Sequence, residues 1–482
     1  MGPRSGAETG TDVSADRPNI IFISAEQQRG DTVHACGAEW MRTPHLDALA
    51  GESVVFDRAF CPAATCVSSR AAFYTGLYPH NNGIYGFQPS SGSLHWLPRL
   101  AEQGYHCVSI GKTHLPPTGF HEHLAEHDNK CALKIRGEDC DWIRAVRAAG
   151  YEPPFDLHDT DPDFYDKLGA IVWPLPEDLH PDIYMANRAL EWLDAWDGRA
   201  PLYLHLGFLS PHDLYDPPQR FLDLYDDDDI PMPHVTAEER AGIPEALFAQ
   251  HRRLEAAHGI TVVKPSRATP ERVRRMRKHY YASVTMIDEK IGQLVDKLKE
   301  KGLYDDAVVI YTSDHGDHLF DHDLIYKGEL YDTIVRVPLM VKAPGVTPQV
   351  RREELVSQMD VVQYILDMSG ADGEGLHGLS LRRALDDGHE HPRRYVFAEE
   401  GETGLRPEPD LLTMIRSRTH KLIHFSGNRS GQLFDLVADP GETRNLWGDT
   451  AYREIQAELT ADLLDWLSTD LHRRRDLFAE AR

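Results

Sequence analysis

Cys66 stands four residues ahead of Arg70 at the start of a stretch with helical character. A side chain at that place meets the positive end of a helix, where backbone N–H groups attract anions and lower the pKa of a thiol. A guanidinium one turn further on can hold a tetrahedral oxyanion, or the group the cysteine becomes. By itself, Cys-x-x-x-Arg serves equally well as a buried structural cysteine at a helix start. Four other polar clusters directly follow apolar runs: Glu26-Gln27, Lys112-Thr113-His114, Pro211-His212-Asp213 and Asp314-His315-Gly316-Asp317. The Glu26 carboxylate is a hard oxygen ligand for a divalent cation. A lone Glu, Lys or His in a loop is more often a solvated surface group, so spacing alone assigns none of them a task.

The runs ahead of these clusters must position them. Residues 19–24, 105–110, 202–208 and 307–313 are short and apolar, as buried parallel strands are. α/β sheets place ligands at the carboxyl ends of such strands. Helices are predicted over 43–50, with Thr43 as N-cap and Pro44 at the first position, and over 97–104, 182–196 and 360–370. A long amphipathic helix over 272–299 sets Tyr280, Val284, Ile287, Ile291, Leu294 and Leu298 on one face. Beyond Gly370 the alternation of strand and helix weakens, and 414–416, 421–425 and 433–436 read as short antiparallel strands. Residues 118–176 are rich in His, Asp and Pro without a steady period, and are expected to form an insertion at the site mouth that shapes specificity. His121, His123 and His127 within it read as ordinary polar surface, and 226–229 as a solvated acidic loop. No internal repeat is present, which excludes solenoids and propellers.

Taken together and in this order, the clusters resemble the motifs of the sulfatase family: Glu26-Gln27; Cys66 and Arg70 with Ala71, Thr75 and Gly76; Gly111-Lys112-Thr113-His114; Pro211-His212; Ser313-Asp314-His315-Gly316-Asp317; and Lys327. The resemblance runs from about residue 19 to about residue 447. It implies an α/β fold, a large mixed, mainly parallel sheet flanked by helices (alkaline phosphatase-like) with a smaller C-terminal α+β subdomain. The expected division is a disordered lead over 1–18, a catalytic domain over 19–370 and the subdomain over 371–482. In the family a cysteine is converted to formylglycine, whose hydrate attacks a sulfate or phosphate ester, and Cys66 is the matching residue. The chain departs from the usual pattern at Ser68, where Pro or Ala is common, and at Glu26, where Asp is common.

The resemblance also implies roles. Glu26, Gln27, Asp314, His315 and the modified Cys66 would bind one divalent metal, Ca or Mn. Arg70 and Lys112 would hold the nucleophile and the oxyanion. His114, Lys327 and His212 would support the transferred group and the leaving oxygen, with Thr113 beside them and His212 as general acid. The text is similar to a bacterial branch that includes arylsulfatases, choline sulfatases and phosphonate monoester hydrolases. The expected function is hydrolysis of a small-molecule sulfate ester. A phosphonate monoester hydrolase or phosphodiesterase of the same family is the alternative, and the two departures keep a catalytically inactive anion-binding relative in view. A formylglycine-generating enzyme is the implied maturation partner, and self-association as a homo-oligomer is compatible with the family.

The bulk composition sets outer bounds. The chain has 482 residues, enough for a large core, and a formal net charge of −26 that argues against nucleic acid and anionic membrane surfaces as partners. An anionic substrate therefore needs a local positive site. The polar lead carries no secretory signal and no run is long enough to span a membrane, so a cytoplasmic protein is expected. Cys36, Cys61, Cys66, Cys107, Cys131 and Cys140 lack paired metal spacing and are expected as free thiols.

Overall fold

The computed structural model describes residues 17–86, 96–114, 118–125, 140–259, 262–386, 388–401, 411–427 and 430–479, with side chains as far as 469. Most of the expected lead, together with His127 and Cys131, lies outside them.

The predicted strands form adjacent members of one sheet. β1 (Ile20–Ala25) lies between β5 (Leu202–Gly207) and β6 (Val308–Ser313), and β3 (His106–Gly111) flanks β5, all parallel. The full sheet has the order β4-β3-β5-β1-β6-β8-β2-β7, with β9 paired to β2. Its remaining members are β2 (Val54–Phe60), β4 (Glu122–Leu124), β7 (Arg336–Val337), β8 (Leu339–Lys342) and β9 (Val350–Ser357). β8 runs antiparallel to β6, which makes the sheet mixed. A second, antiparallel sheet joins β10 (Val396–Glu400), β11 (Leu412–Arg416), β12 (His420–Phe425) and β13 (Ser430–Asp435) in sequence order. The strand inside the 118–176 insertion, β4, extends the main sheet by pairing with β3, so the insertion is partly framework.

Alternation along β1 divides the core. Ile21 and Ile23 face one cluster with Val108, Ile110, Leu204 and Leu206, while Ile20 and Phe22 face another with Tyr203, Val308 and Ile310. Helix α1 (Pro44–Gly51) is followed by α2 (Cys66–Thr75), whose Phe73 stacks on Phe22 with ring centroids 4.6 Å apart. α3 (Pro181–Ala195) and α4 (Pro270–Glu300) cover the opposite face, and α5 (Gln358–Ser369) packs beside α2. The face predicted for α4 is the buried one: Tyr280, Val284, Ile287, Ile291, Leu294 and Leu298 are all inside. α6 (Arg453–Ala479), which no pattern in the sequence had suggested, sets Leu459 and Leu463 against Ile415, Leu422 and Leu433 of the second sheet.

Thr43 does not cap α1 through its side chain. Its hydroxyl oxygen accepts the His34 N–H at 2.9 Å, and the Asp288 carboxylate of α4 takes the N–H groups of His45 and Leu46 at 3.2 and 2.6 Å. The cap therefore comes from a residue 242 positions away from Leu46, beyond the reach of local pattern. The described cysteines, Cys36, Cys61, Cys66, Cys107 and Cys140, are free.

Candidate active site

The carboxyl ends of four adjacent parallel strands deliver the clusters to one place. Glu26 follows β1, Lys112 follows β3, His212 follows β5 and Asp314 follows β6. Gly111 makes this possible, since it has a φ of +92° and a Cβ there would sit 2.3 Å from the Gly207 carbonyl oxygen. Cys66 enters as the first residue of α2, and the Ser69 hydroxyl donates to the Asp314 carbonyl at 2.7 Å, pinning that helix to the end of β6. Tyr280 of α4 secures the loop after β1 by donating its hydroxyl to Gln27 O at 2.7 Å and accepting from Arg29 N at 2.9 Å.

Glu26 is the hub. Its Oε1 lies 2.6 Å from Lys112 Nζ, 3.8 Å from His212 Nε2 and 4.0 Å from Lys327 Nζ, and its Oε2 lies 3.2 Å from Arg70 Nη2. Burial alone would push this carboxyl up, but Lys112 and Arg70 outweigh it and hold the group well below the usual carboxylate range. Arg70 also donates through Nε to Asp314 at 2.8 Å and through Nη1 to the Lys112 carbonyl at 3.0 Å. Each of its three nitrogens thus makes one contact with the protein, so Arg70 orients both carboxylates as well as lending its charge to the site.

Lys327 Nζ lies 3.6 Å from Cys66 Sγ and 3.3 Å from His315 Nε2. The thiol departs from expectation. Burial pushes Cys66 up to about 11, against the pull of Lys327, so the helix N-terminus does not make it a thiolate at neutral pH. Burial, with Lys327 beside it, keeps His212 well below the usual histidine range, and burial with Lys112 does the same to His114. His212 Nδ1 lies 2.7 Å from the Asp213 carbonyl oxygen, which places its proton there and turns Nε2 toward Glu26. Thr113 is buried on the same loop as Lys112.

The donor set suits a divalent cation. One oxygen, nitrogen or sulfur atom from each of Glu26, Cys66 and His315 lies within 4.8 Å of the others. His315 Nδ1 donates to the Gly316 carbonyl at 2.8 Å, so Nε2 carries the lone pair, as in metal-bound histidines. Gln27 donates Nε2 to Asp317 at 2.5 Å, and its buried Oε1 has no hydrogen-bond partner. Asp314 Oδ1 accepts from the Gln27 and His315 backbones, both at 2.9 Å, which fixes the plane of its carboxylate. Carboxylate and amide oxygens with one imidazole match a hard to intermediate cation.

Three supporting residues had been given no role on sequence grounds. Asp317 was visible within its motif but had no task until Gln27 and the Tyr215 hydroxyl, at 2.8 Å, were seen to donate to it. Asp213, next to His212, is pushed up to about 7 by burial and lies 3.0 Å from His212 Nδ1. Asp182, at the start of α3, accepts from Leu209 N at 2.6 Å and Ser210 Oγ at 2.7 Å and so shapes the loop that presents His212. Asp213, adjacent to Pro-His, and Asp317, inside its motif, carried a local signal, and Asp182 carried none.

Comparison with known proteins identifies the family. The sulfatase family model ("Sulfatase") matches residues 18–371, and that of the N-sulphoglucosamine sulphohydrolase C-terminal region matches 318–468. An arylsulfatase of Clostridium perfringens is 28% identical over 474 residues, covering 91% of this chain and 92% of its own. A choline-sulfatase of Rhizobium meliloti is 28% identical, covering 93% and 86%. Among solved structures, the phosphonate monoester hydrolase of Agrobacterium radiobacter superposes with a TM-score of 0.78 at 26% identity, covering 94% of this chain and 96% of that one. This chain belongs to the sulfatase family of the alkaline phosphatase superfamily and is a hydrolase.

Proposed function

We propose that the protein hydrolyses sulfate esters of small molecules, with Cys66 as the residue converted to formylglycine. One observation carries this reading: Arg70, Lys112 and Lys327 converge, buried, on Glu26 beside the first turn of the helix that begins with Cys66. In a chain of net charge −26, that is a site built to receive an oxyanion. Formylglycine at Cys66 supplies, as its hydrate, an oxygen nucleophile that the high-pKa thiol does not. Glu26, Gln27, Asp314 and His315, with the modified Cys66, would hold a Ca²⁺ or Mn²⁺ ion, which would supply Lewis acidity against charge on the non-bridging oxygens.

The protein's own groups do the rest. Lys327, 3.6 Å from Cys66 Sγ, steadies the attacking group and the transferred oxyanion. Lys112 balances Glu26 and adds positive potential where the ester's oxygens sit. His114 and Thr113 flank that position on the same loop. His212, neutral before substrate arrives, presents Nε2 to the leaving oxygen; as the bound anion raises its basicity, Nε2 takes a proton from solvent and passes it to that oxygen. Ser68 does not touch this chemistry: its hydroxyl lies 3.1 Å from Thr65 Oγ1, and it is buried. Its effect falls on the unfolded segment that a formylglycine-generating enzyme would read. The same reading takes 19–370 as the catalytic unit with 371–482 as its subdomain, and a cytoplasmic setting.

The likeness to the Agrobacterium radiobacter phosphonate monoester hydrolase supports a second reading, hydrolysis of phosphonate monoesters or phosphodiesters. Steady-state kcat/KM on matched aryl sulfate, aryl phosphonate and aryl phosphodiester, with Ca²⁺ and with Mn²⁺, decides between them. The sulfate should lead. A leading phosphonate or diester replaces the first reading with the second. Absence of turnover for all three, in protein whose Cys66 is shown by mass spectrometry to be converted, makes the chain an anion-binding relative.

A further inference from the structure

We propose a second cation site, separate from the catalytic centre, in which His158, Asp159 and His258 bind a divalent ion of the zinc class. One donor atom from each residue lies within 4.8 Å of the others. The Asp159 carboxylate joins the pair, with Oδ1 3.0 Å from His258 Nε2 and Oδ2 3.4 Å from His158 Nε2. Ligands about 2.0–2.1 Å from a tetrahedral zinc stand about 3.3 Å apart, so these separations already approximate edges of such a site. The imidazole rings stand 5.1 Å apart at an interplanar angle of 61°, so they converge on the carboxylate and are not stacked.

The surroundings can hold His258 in an orientation suited to metal ligation. Tyr165 Oη lies 2.6 Å from His258 Nδ1 and also accepts from Gly259 N at 3.3 Å. Tyr165 Oη can take the Nδ1–H of His258, and in that tautomer Nε2 presents its lone pair beside Asp159, as a metal requires. Asp159 and His258 are about half exposed while the His158 side chain is 12% exposed, so water can fill the remaining coordination positions. Two imidazoles with one carboxylate favour zinc over calcium or magnesium.

The site joins two distant segments. His158 and Asp159 lie in the short helix Leu157–Thr160, and His258 comes just after the helix Ala249–Ala256. Leu157 and Tyr165 pack on Phe164, Ile171 and Leu214, and Leu214 is two residues from His212. A bound ion thus braces the part of the insertion that backs the His212 loop.

Full-length protein stripped with chelator and titrated with ZnCl₂ alone tests this. Wild type should take up one more zinc per chain than His258→Ala or Asp159→Asn, and zinc should raise its melting temperature by more than theirs. Tyr165→Phe, which removes the oxygen that orients His258, should weaken that binding by about 10-fold or more while keeping its stoichiometry. Equal zinc stoichiometry and affinity in wild type, His258→Ala and Asp159→Asn would overturn the proposal. Since His258 and Asp159 are exposed, their substitution leaves the core intact and the comparison readable.

Discussion

Glu26 Oε1 sits 2.6 Å from Lys112 and within 4.0 Å of Lys327, and its Oε2 faces Arg70, so Glu26 is the carboxylate that all three cations share. Glu26→Gln keeps the shape and removes the charge. We expect it to lose bound metal on dialysis and to lower kcat/KM at least about 100-fold, the scale of deleting one electrostatic contributor. Metal content equal to wild type would mean that Glu26 is not a ligand. Cys66 invites a second test at this scale. With burial holding the thiol at about 11, an unconverted cysteine is mostly protonated at neutral pH and a poor nucleophile. Peptide mass spectrometry across 63–70 should show the aldehyde or its hydrate in active protein, and Cys66→Ala should cost at least about 10³-fold in kcat. An active preparation with only the thiol, matched in rate by Cys66→Ala, refutes the formylglycine reading.

At the scale of elements, side chains from one helix govern loops belonging to another. Asp182 at the head of α3 takes the Leu209 N–H at 2.6 Å and the Ser210 hydroxyl at 2.7 Å, immediately before His212. Asp182→Ala leaves a buried N–H without its acceptor, at about 1–3 kcal/mol. On the proposed mechanism the consequence should be a fall in kcat larger than the rise in KM, since His212 would be misplaced while Lys112 and Lys327 keep their places. A pure loss of thermal stability with unchanged kcat would confine Asp182 to folding. Asp288 plays the same part for α1, and Asp288→Ala should cost about 1–2 kcal/mol, read as a lowered urea midpoint.

Over the whole molecule, the second sheet is wired to the catalytic core at two places. Its edge strand β10 supports the chain on either side of α2: Glu399 N donates to Pro62 O at 3.0 Å, its carboxylate takes His80 at 2.9 Å, and Glu400 accepts from Thr65 at 3.2 Å. Further along the seam, Asp332 pairs with Arg416 at 3.0 Å and Lys421 at 2.9 Å, while Lys421 also meets Glu442 at 2.7 Å. A cavity of about 530 Å³ runs beside these groups, lined in part by Arg29, Asp31 and Arg336. Burial opposes ionisation of Asp332, but Arg416 and Lys421 prevail and hold it well below the usual carboxylate range, whereas burial pushes Glu442 up. A carboxyl with a depressed folded pKa adds stability above its unfolded value of about 3.9 and loses it as pH falls toward the folded one. Asp332→Asn should therefore lower the melting temperature at pH 7, by an amount equivalent to about 3 kcal/mol, and the gap to wild type should close as pH drops below about 4. A gap independent of pH would mean that the seam is held by packing and not by this charge.

The sequence by itself determined the strands that carry the candidate site and named most of the residues that the fold brings together there. Buried parallel strands announce themselves as short apolar runs, and the polar residues directly after each run are delivered to the same edge of the sheet. The burial of 20–24, 202–208 and 307–313 and the face of α4 come from the same local patterning. Glu26, Cys66, Lys112, His212, Asp314 and Lys327 were legible in this way together with the family resemblance. The strands β4, β7, β8 and β9 and the helix α6 were not, because short or non-periodic segments take their conformation from the partners they pair with. Tertiary structure alone decided that Arg70 serves the carboxylates, that Asp182, Asp288 and Asp317 hold loops far away in sequence, and that the Cys66 thiol is raised, not lowered. Each of those outcomes depends on desolvation and on charges brought together across the fold. Burial outweighs the local field of a helix end, and no spacing of residues along the chain encodes it.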